Sequence, residues 1–159
     1  MKDKAIIMDI DGVLADSQEY IDKYLRNVKE KDYDSFWNSV PKHEVFDWSR
    51  NLVENYHNVG HKIVMLTARQ DIPIARENTL KWFYKNNIHC DMLLMQPPRD
   101  VEEKNELYRH GLIKIDMYNK LIKPHYDIEF MVDDSPDNVK MFREIGLTVL
   151  QPNNKWDLK

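Results

Sequence analysis

An α/β fold, with a central, mainly parallel five-stranded sheet flanked by helices, is what this sequence predicts. Three observations carry the prediction. Short apolar runs alternate with longer segments of helical spacing. The first three of those runs are apolar throughout, as strands covered on both faces are. The chain has 159 residues, 42% of them hydrophobic and 31% charged, which makes one ordinary domain with a core and excludes a disordered or fibrous chain.

The expected strands, in order, are 5–8, 63–66, 92–95, 128–132 and 147–150, the last two interrupted by Glu129 and Thr148. Residues 73–87 carry Ile74, Leu80, Trp82 and Phe83 among polar neighbours and close on Asn86-Asn87, which predicts a helix. Ser135-Pro136 sets a cap residue and an N1 proline before Val139, Met141, Phe142 and Ile145, with Gly146 as the stop. The stretch from Leu14 to Lys62 is too long for one crossover helix. Helical patterns at 18–28, 33–40 and 44–57 predict a small helical cap insertion, about residues 15–57, within a single domain spanning 1–151. Residues 152–159 read as a polar tail.

Lys plus Arg number 23 against 27 Asp plus Glu, a net charge of −4, which disfavours a long nucleic-acid footprint and leaves room for a local basic pocket. The four glycines are too far apart for a G-x-G-x-x-G turn or a G-x-x-x-x-G-K-[ST] phosphate loop. The one cysteine, Cys90, makes no internal disulfide, and no run approaches the ~18 apolar residues of a membrane span. Asp9 interrupts the first apolar stretch, so no secretory signal is expected; the expected location is cytoplasmic, with no membrane partner.

The first strand runs into Asp9-Ile10-Asp11-Gly12, placing two carboxylates at the carboxyl edge of a parallel sheet, where ligands of open α/β folds bind. An Asp-Gly turn would explain them without chemistry. The fourth strand ends in Asp133-Asp134, and adjacent acids before Ser135-Pro136 are also common helix caps. It is the coincidence of two acidic strand ends that informs. If the strands are neighbours, three or four carboxylates meet in an oxygen-rich site suited to a hard ion such as Mg²⁺. The second strand ends in Leu66-Thr67-Ala68-Arg69, adding a hydroxyl and a guanidinium at the same edge, while Lys114 on pattern alone reads as a surface lysine.

Taken together these residues resemble the haloacid dehalogenase (HAD) superfamily of aspartate-dependent phosphohydrolases, over Lys4 to about Gln151. Asp9-Ile10-Asp11-Gly12-Val13-Leu14 resembles its first motif, Thr67 the second, Lys114 the third and Asp133-Asp134 the fourth. The resemblance sharpens toward the 3′-phosphatase domain of phage-type polynucleotide kinase/phosphatases through Thr67 with Arg69, Lys81-Trp82, Gln96 to Arg99, and the spacing from Lys114 to Asp133. Three departures stand out: no kinase half, a longer insertion after the first motif, and Ser135 where that family has a basic residue.

The resemblance implies a Rossmann-like HAD fold and a catalytic set of Asp9 as nucleophile, Asp11 as acid and base, Thr67 and Lys114. It implies Mg²⁺ held by Asp9, the backbone carbonyl of Asp11 and Asp133, with Asp134 close by, and Thr67, Arg69 and Arg99 as substrate contacts. The implied activity is Mg-dependent phosphomonoester hydrolysis through an aspartyl-phosphate, removing 3′-phosphate from polynucleotide ends. A small-molecule 5′- or 3′-nucleotidase of the same superfamily is the alternative substrate reading. A receiver-like phosphoacceptor module is the non-enzyme alternative, disfavoured because no acid directly follows the third strand. His57 and His61 are four apart, but Gly60 breaks the helix a zinc pair would need, so a turn is expected there. The insertion's aromatics, Tyr20, Tyr24, Tyr33, Phe36, Trp37, Phe46 and Trp48, are expected mainly to pack, with one or two stacking on a nucleobase.

Overall fold

In the computed structural model, which describes residues 1–98 and 112–153, the central strand is β1 (Asp3–Met8), whose Ala5, Ile6, Ile7 and Met8 have no exposed surface. That burial follows from position, because β4 (Lys62–Gln70) and β6 (Tyr126–Val132) pair with its two sides, both parallel, and bring Met65 and Val132 level with Met8. Beyond them lie β5 (Met92–Gln96) and β7 (Val149–Leu150), giving the order β5-β4-β1-β6-β7. Numbered along the sheet strands alone, this is 3-2-1-4-5. A receiver module has the order 2-1-3-4-5, so the topology removes that alternative.

Alternate residues of β1 feed two separate apolar clusters, one on each face. Ile6 and Met8 pack with Ile63, Met65, Trp82 and Phe130, while Ala5 and Ile7 pack with Val64, Leu66, Ile122 and Phe142. This two-sided burial is why the first strands read as unbroken apolar runs. Glu129 is tolerated in the fourth run for a local reason: Ala5 pairs with Ile128 and Ile6 with Phe130, so Glu129 is the extra residue of a bulge. Its carboxylate lies 2.6 Å from His61 Nε2 at the surface.

The segment leading from β1 to β4 contains a feature the sequence did not suggest. Ala15–Asp16 (β2) pairs antiparallel with Glu44–Val45 (β3), forming a short ribbon outside the main sheet. Between its strands run α1 (Gln18–Ile21), a π-helical turn (Asp22–Arg26), α2 (Tyr33–Ser39) and a 3₁₀ turn (Val40–Lys42). The helix expected from Glu44 starts instead at Asp47 (α3, Asp47–Asn58), because the ribbon claims Glu44 and Val45. Phe36 and Trp37 are buried in the same cluster as Ile10 and Leu14, Tyr20, Tyr24 and Tyr33 pack against it, and Trp48 stays exposed.

The crossover α4 (Pro73–Lys85) links β4 to β5, α5 (Ile113–Met117) with its π-helical extension Tyr118–Ile122 precedes β6, and α6 (Pro136–Glu144) joins β6 to β7. Ser135 occupies the N-cap position of α6 in extended conformation, yet its side chain makes no cap bond; the turn is closed by Asp133, which accepts from the Ser135 backbone N–H at 2.9 Å. Gly146 follows this helix at φ +94°. No helix among the described residues is long and apolar enough to cross a membrane. Arg99 and the tail beyond Asn153 lie outside the described residues.

Candidate active site

Pairing β1 directly with β6 makes the two acidic strand ends converge. Asp9 follows β1 and donates its backbone N–H to Val132 O at 2.9 Å, so it stands beside Asp133 by register. One carboxylate oxygen from each of Asp9, Asp133 and Asp134 falls within 4.8 Å of the others, and all three residues are buried. Lys114, 2% exposed on α5, reaches into this cluster: its Nζ donates to Asp133 Oδ2 at 2.8 Å and lies 3.1 Å from Asp9 Oδ2. The lysine is therefore no surface residue. Burial works against its charge, but Asp9 and Asp133 outweigh burial and hold its pKa well above the ordinary lysine range.

Asp9 experiences the opposite balance. Burial raises its pKa well above the carboxylate norm, Lys114 pulls it back, and Asp133, Asp134 and Asp11 push it up again. Three clustered acids against one lysine leave negative charge that a cation would offset. The donor set is all carboxylate oxygen, which fits a hard divalent ion. Gly12 belongs to the same design, since with φ +82° it adopts a backbone few other residues accept, and a Cβ there would collide with the Asp134 carboxylate. Asn138, one turn into α6, donates to both Asp133 oxygens at 3.2 Å and holds that carboxylate in orientation.

Thr67 and Arg69 arrive from β4. Between Thr67 and Gln70 the pairing with β5 slips, leaving Ala68 and Arg69 without partners on β5. Thr67 Oγ1 accepts from the Arg69 backbone N–H at 3.2 Å, so its acceptor side is engaged and its own proton remains to be donated. Arg69 differs from the expectation of a guanidinium open to substrate. It is 1% exposed, and every nitrogen is committed: Nε and Nη2 donate to the two Asp11 oxygens at 2.9 and 2.7 Å, and Nη1 to Thr79 Oγ1 at 2.9 Å. Burial would raise the Asp11 pKa, but Arg69 prevails and lowers it, helped by the neighbouring His43 and Ser17.

Asp9, Asp11, Thr67, Lys114 and Asp134 line one cavity of about 360 Å³, together with Asn138 and, from α1, Ile21. The structure thus brings together every expected site residue among those described: Asp133 belongs to the acid cluster although it does not line the cavity, and Arg69 is bonded to Asp11 rather than open to the cavity. Arg99 falls outside the described residues. Sequence reasoning missed Asn138, Thr79, Ser17 and His43. Thr79 carried a usable signal, because it sits with Ala75, Trp82 and Phe83 on the buried stripe of α4, where a hydroxyl needs a partner. The other three lie in loops or a first turn, where no periodicity marks them.

His43 is 2% exposed, stacks on Tyr20 with ring centroids 4.5 Å apart, and has Nε2 3.0 Å from Ser39 Oγ. Trp82 Nε1 donates to its backbone carbonyl at 2.7 Å, tying the cap segment to α4. Burial is the main reason its pKa falls to about 4, with Asp11 opposing and Arg69 reinforcing. A folded-state value below the unfolded one of about 6.5 means the stability contribution is complete above that pH. It is lost as pH falls from there to about 4. Urea titrations across that window are expected to show a loss on the order of 3 kcal/mol, set by the 1.4 kcal/mol per pKa unit of linkage, that His43→Asn removes. Equal pH slopes in the two proteins would contradict this.

The model of the family described as the polynucleotide kinase PNKP phosphatase domain matches residues 3–155. Among solved structures, a chain of the Pnkp1/Rnl/Hen1 RNA repair complex superposes with a TM-score of 0.73 at 26% identity, over 96% of this chain and 43% of that one. A second structure of the Pnkp1/Rnl/Hen1 complex gives 0.70 at 26% identity, over 94% and 46%. The chain therefore spans less than half the length of those relatives. The class C acid phosphatase from Bacillus anthracis with tungstate bound shares the fold, with a TM-score of 0.65 at 17% identity over 98% of this chain and 68% of that one.

Proposed function

This chain belongs to the polynucleotide kinase PNKP phosphatase-domain family of HAD type, and from that premise we propose that it is a phosphatase that removes the terminal phosphate from polynucleotide 3′ ends through an aspartyl-phosphate on Asp9. The observation that carries the reading is the pairing of two unlike carboxylates on one cavity: Asp9 against a lysine in the acid cluster, Asp11 against a buried arginine. In the free protein these surroundings raise the Asp9 pKa and lower that of Asp11; a cation beside Asp9 and a phosphate beside Asp11 would each reverse the shift, readying Asp9 to attack and Asp11 to give a proton.

Asp9 is the nucleophile: a carboxylate oxygen bonds to phosphorus while the bond to the 3′ oxygen breaks. Its Oδ1 is held by the Ile10 backbone N–H at 2.8 Å, which fixes the plane of attack. Asp11 gives its proton to the departing oxygen and then takes one from the water that cleaves the Asp9–phosphorus bond. Arg69 favours the carboxylate form used in the second step; the negative charge of a bound phosphate favours the proton needed in the first. Thr67 donates to a phosphate oxygen and Lys114 supplies fixed positive charge beside it. Mg²⁺ would be held by Asp9, Asp133 and the Asp11 carbonyl with Asp134 nearby, and when bound it offsets the repulsion between the phosphate and the acids. Residues 15–57 cap this single domain, with Ile21 their contribution to the cavity.

The test is phosphate release with Mg²⁺ from a 3′-phosphorylated oligonucleotide beside nucleoside 3′- and 5′-monophosphates at equal concentration. The oligonucleotide is expected to turn over faster, by about tenfold or more in kcat/KM, an advantage of about 1.4 kcal/mol in transition-state binding. A mononucleotide preference would replace this reading with a small-molecule nucleotidase. The cofactor part is checked by chelation, which should abolish release, and by readdition of Mg²⁺, which should restore it.

A further inference from the structure

At the opposite edge of the sheet from the acid cavity, His57, His89 and Asp91 bring one ligand atom each within 4.8 Å of the others. The topology explains the meeting. His57 stands in the last turn of α3, just before β4, and His89 and Asp91 stand just before β5, so all three lie at the amino ends of two neighbouring parallel strands. His57 and His61 are four apart, but the turn expected at Gly60 sends His61 to Glu129, and His57 meets a histidine 32 positions later.

We propose that His57, His89 and Asp91 form a transition-metal site of the zinc class, separate from the oxygen site of the catalytic edge. Two imidazoles and one carboxylate are a borderline donor set that suits Zn²⁺ far better than Mg²⁺. Asp91 is already fixed in place, since its Oδ2 accepts from the Ile63 backbone N–H at 2.8 Å. His89 Nε2 lies 3.1 Å from that same oxygen, an ion-pair distance, on a side chain that is half-buried, without the alignment of a well-formed hydrogen bond. An anchored carboxylate with an imidazole nitrogen held beside it is a preformed pair of metal ligands.

The His57 ring stacks on His89, with centroids 3.5 Å apart and planes 21° from parallel. Stacked rings do not aim at one point, so ligation requires His57 to turn about its side-chain bonds. His57 is exposed at a helix end, and no hydrogen bond restrains its side chain among the described residues. The two histidines line a cleft of about 580 Å³ that gives an ion access; Glu54 and Arg50 of α3 line it too, their charges opposed, and Lys62 Nζ stands 3.6 Å from Asp91 Oδ1. Cys90 is not a ligand: its side chain packs against the apolar core. Zinc bound here would clip the end of α3 to the start of β5 and stabilise the fold rather than take part in phosphate chemistry.

The experiment is calorimetric titration of Zn²⁺ into the full chain with Mg²⁺ in excess, so that the acid cavity is occupied by the hard ion, with Co²⁺ absorption reporting nitrogen ligation. One Zn²⁺ per chain is expected, with a rise in Tm. His57→Ala and His89→Ala should each weaken binding by about 100-fold or more, since losing even a group behind a metal ligand costs roughly 10- to 100-fold. Phosphate release with Mg²⁺ should be unchanged in His57→Ala. The exposed His57 carries the test should His89→Ala fail to fold. Zinc affinity equal in His57→Ala and the parent protein, or binding that excess Mg²⁺ abolishes, would overturn the site whatever the protein's substrate proves to be.

Discussion

Asp9→Asn is expected to lower phosphate release by at least about 10⁴-fold, some 5 to 6 kcal/mol of barrier, while leaving the protein folded and its Tm in the absence of metal no lower than before. The two halves of this result have one cause. Asparagine keeps the shape of the carboxyl and its acceptor for the Ile10 N–H but cannot form the bond to phosphorus. It also removes a charge the free protein tolerates badly, because burial outweighs the pull of Lys114 and leaves the Asp9 pKa raised. A carboxyl whose folded-state pKa lies above its unfolded value of about 3.9 contributes stability at low pH, and that stability is lost as pH rises through the folded value. Ionising Asp9 is therefore a stability cost retained for chemistry, and the neutral isostere relieves it. Phosphate release and thermal melting of the two proteins in chelator decide the point. Activity above about one hundredth of the parent, far more than loss of a nucleophile allows, would remove Asp9 from the nucleophile's role.

The fold was legible because its signals are local. Asp9-Ile10-Asp11-Gly12 and Asp133-Asp134 mark strand ends whatever the rest of the chain does, and a parallel sheet buried on both faces writes its strands as apolar runs. What was not legible depends on partners distant in sequence. Lys114 carries no mark that separates it from a solvated lysine until β6 places Asp133 against it, 19 positions later. Glu129 looked like a flaw in a strand and is the bulge residue that keeps the rest of β6 in register with β1. The ribbon of Ala15–Asp16 with Glu44–Val45 is too short for any alternation to appear, so the segment read as helices alone. Arg69 was placed at the correct edge, yet whether a guanidinium faces outward or inward is decided by the slip between Thr67 and Gln70 and by Thr79 on α4.

Arg69→Ala should therefore damage the protein in a way that loss of a substrate clamp would not. A buried guanidinium with all its donors engaged leaves two groups behind when it is removed, the Asp11 carboxylate and the Thr79 hydroxyl. Breaking a buried pair costs roughly 3 to 5 kcal/mol, and the Asp11 side chain, 22% exposed, can recover some hydration, so about 3 kcal/mol of stability is the expected loss. The catalytic signature is sharper. Without Arg69 the Asp11 pKa rises toward the ordinary value, the acidic limb of the rate profile moves to higher pH, and kcat falls while KM barely changes. Arg69→Lys should recover part of the pKa effect but little of kcat, because one ammonium cannot span both Asp11 oxygens and Thr79 at once. A residue that gripped substrate would show the reverse: KM raised, kcat and stability kept, and the pH profile unmoved. Measuring kcat and KM against pH for the three proteins, with urea melts alongside, separates a residue that holds the acid from one that holds the phosphate.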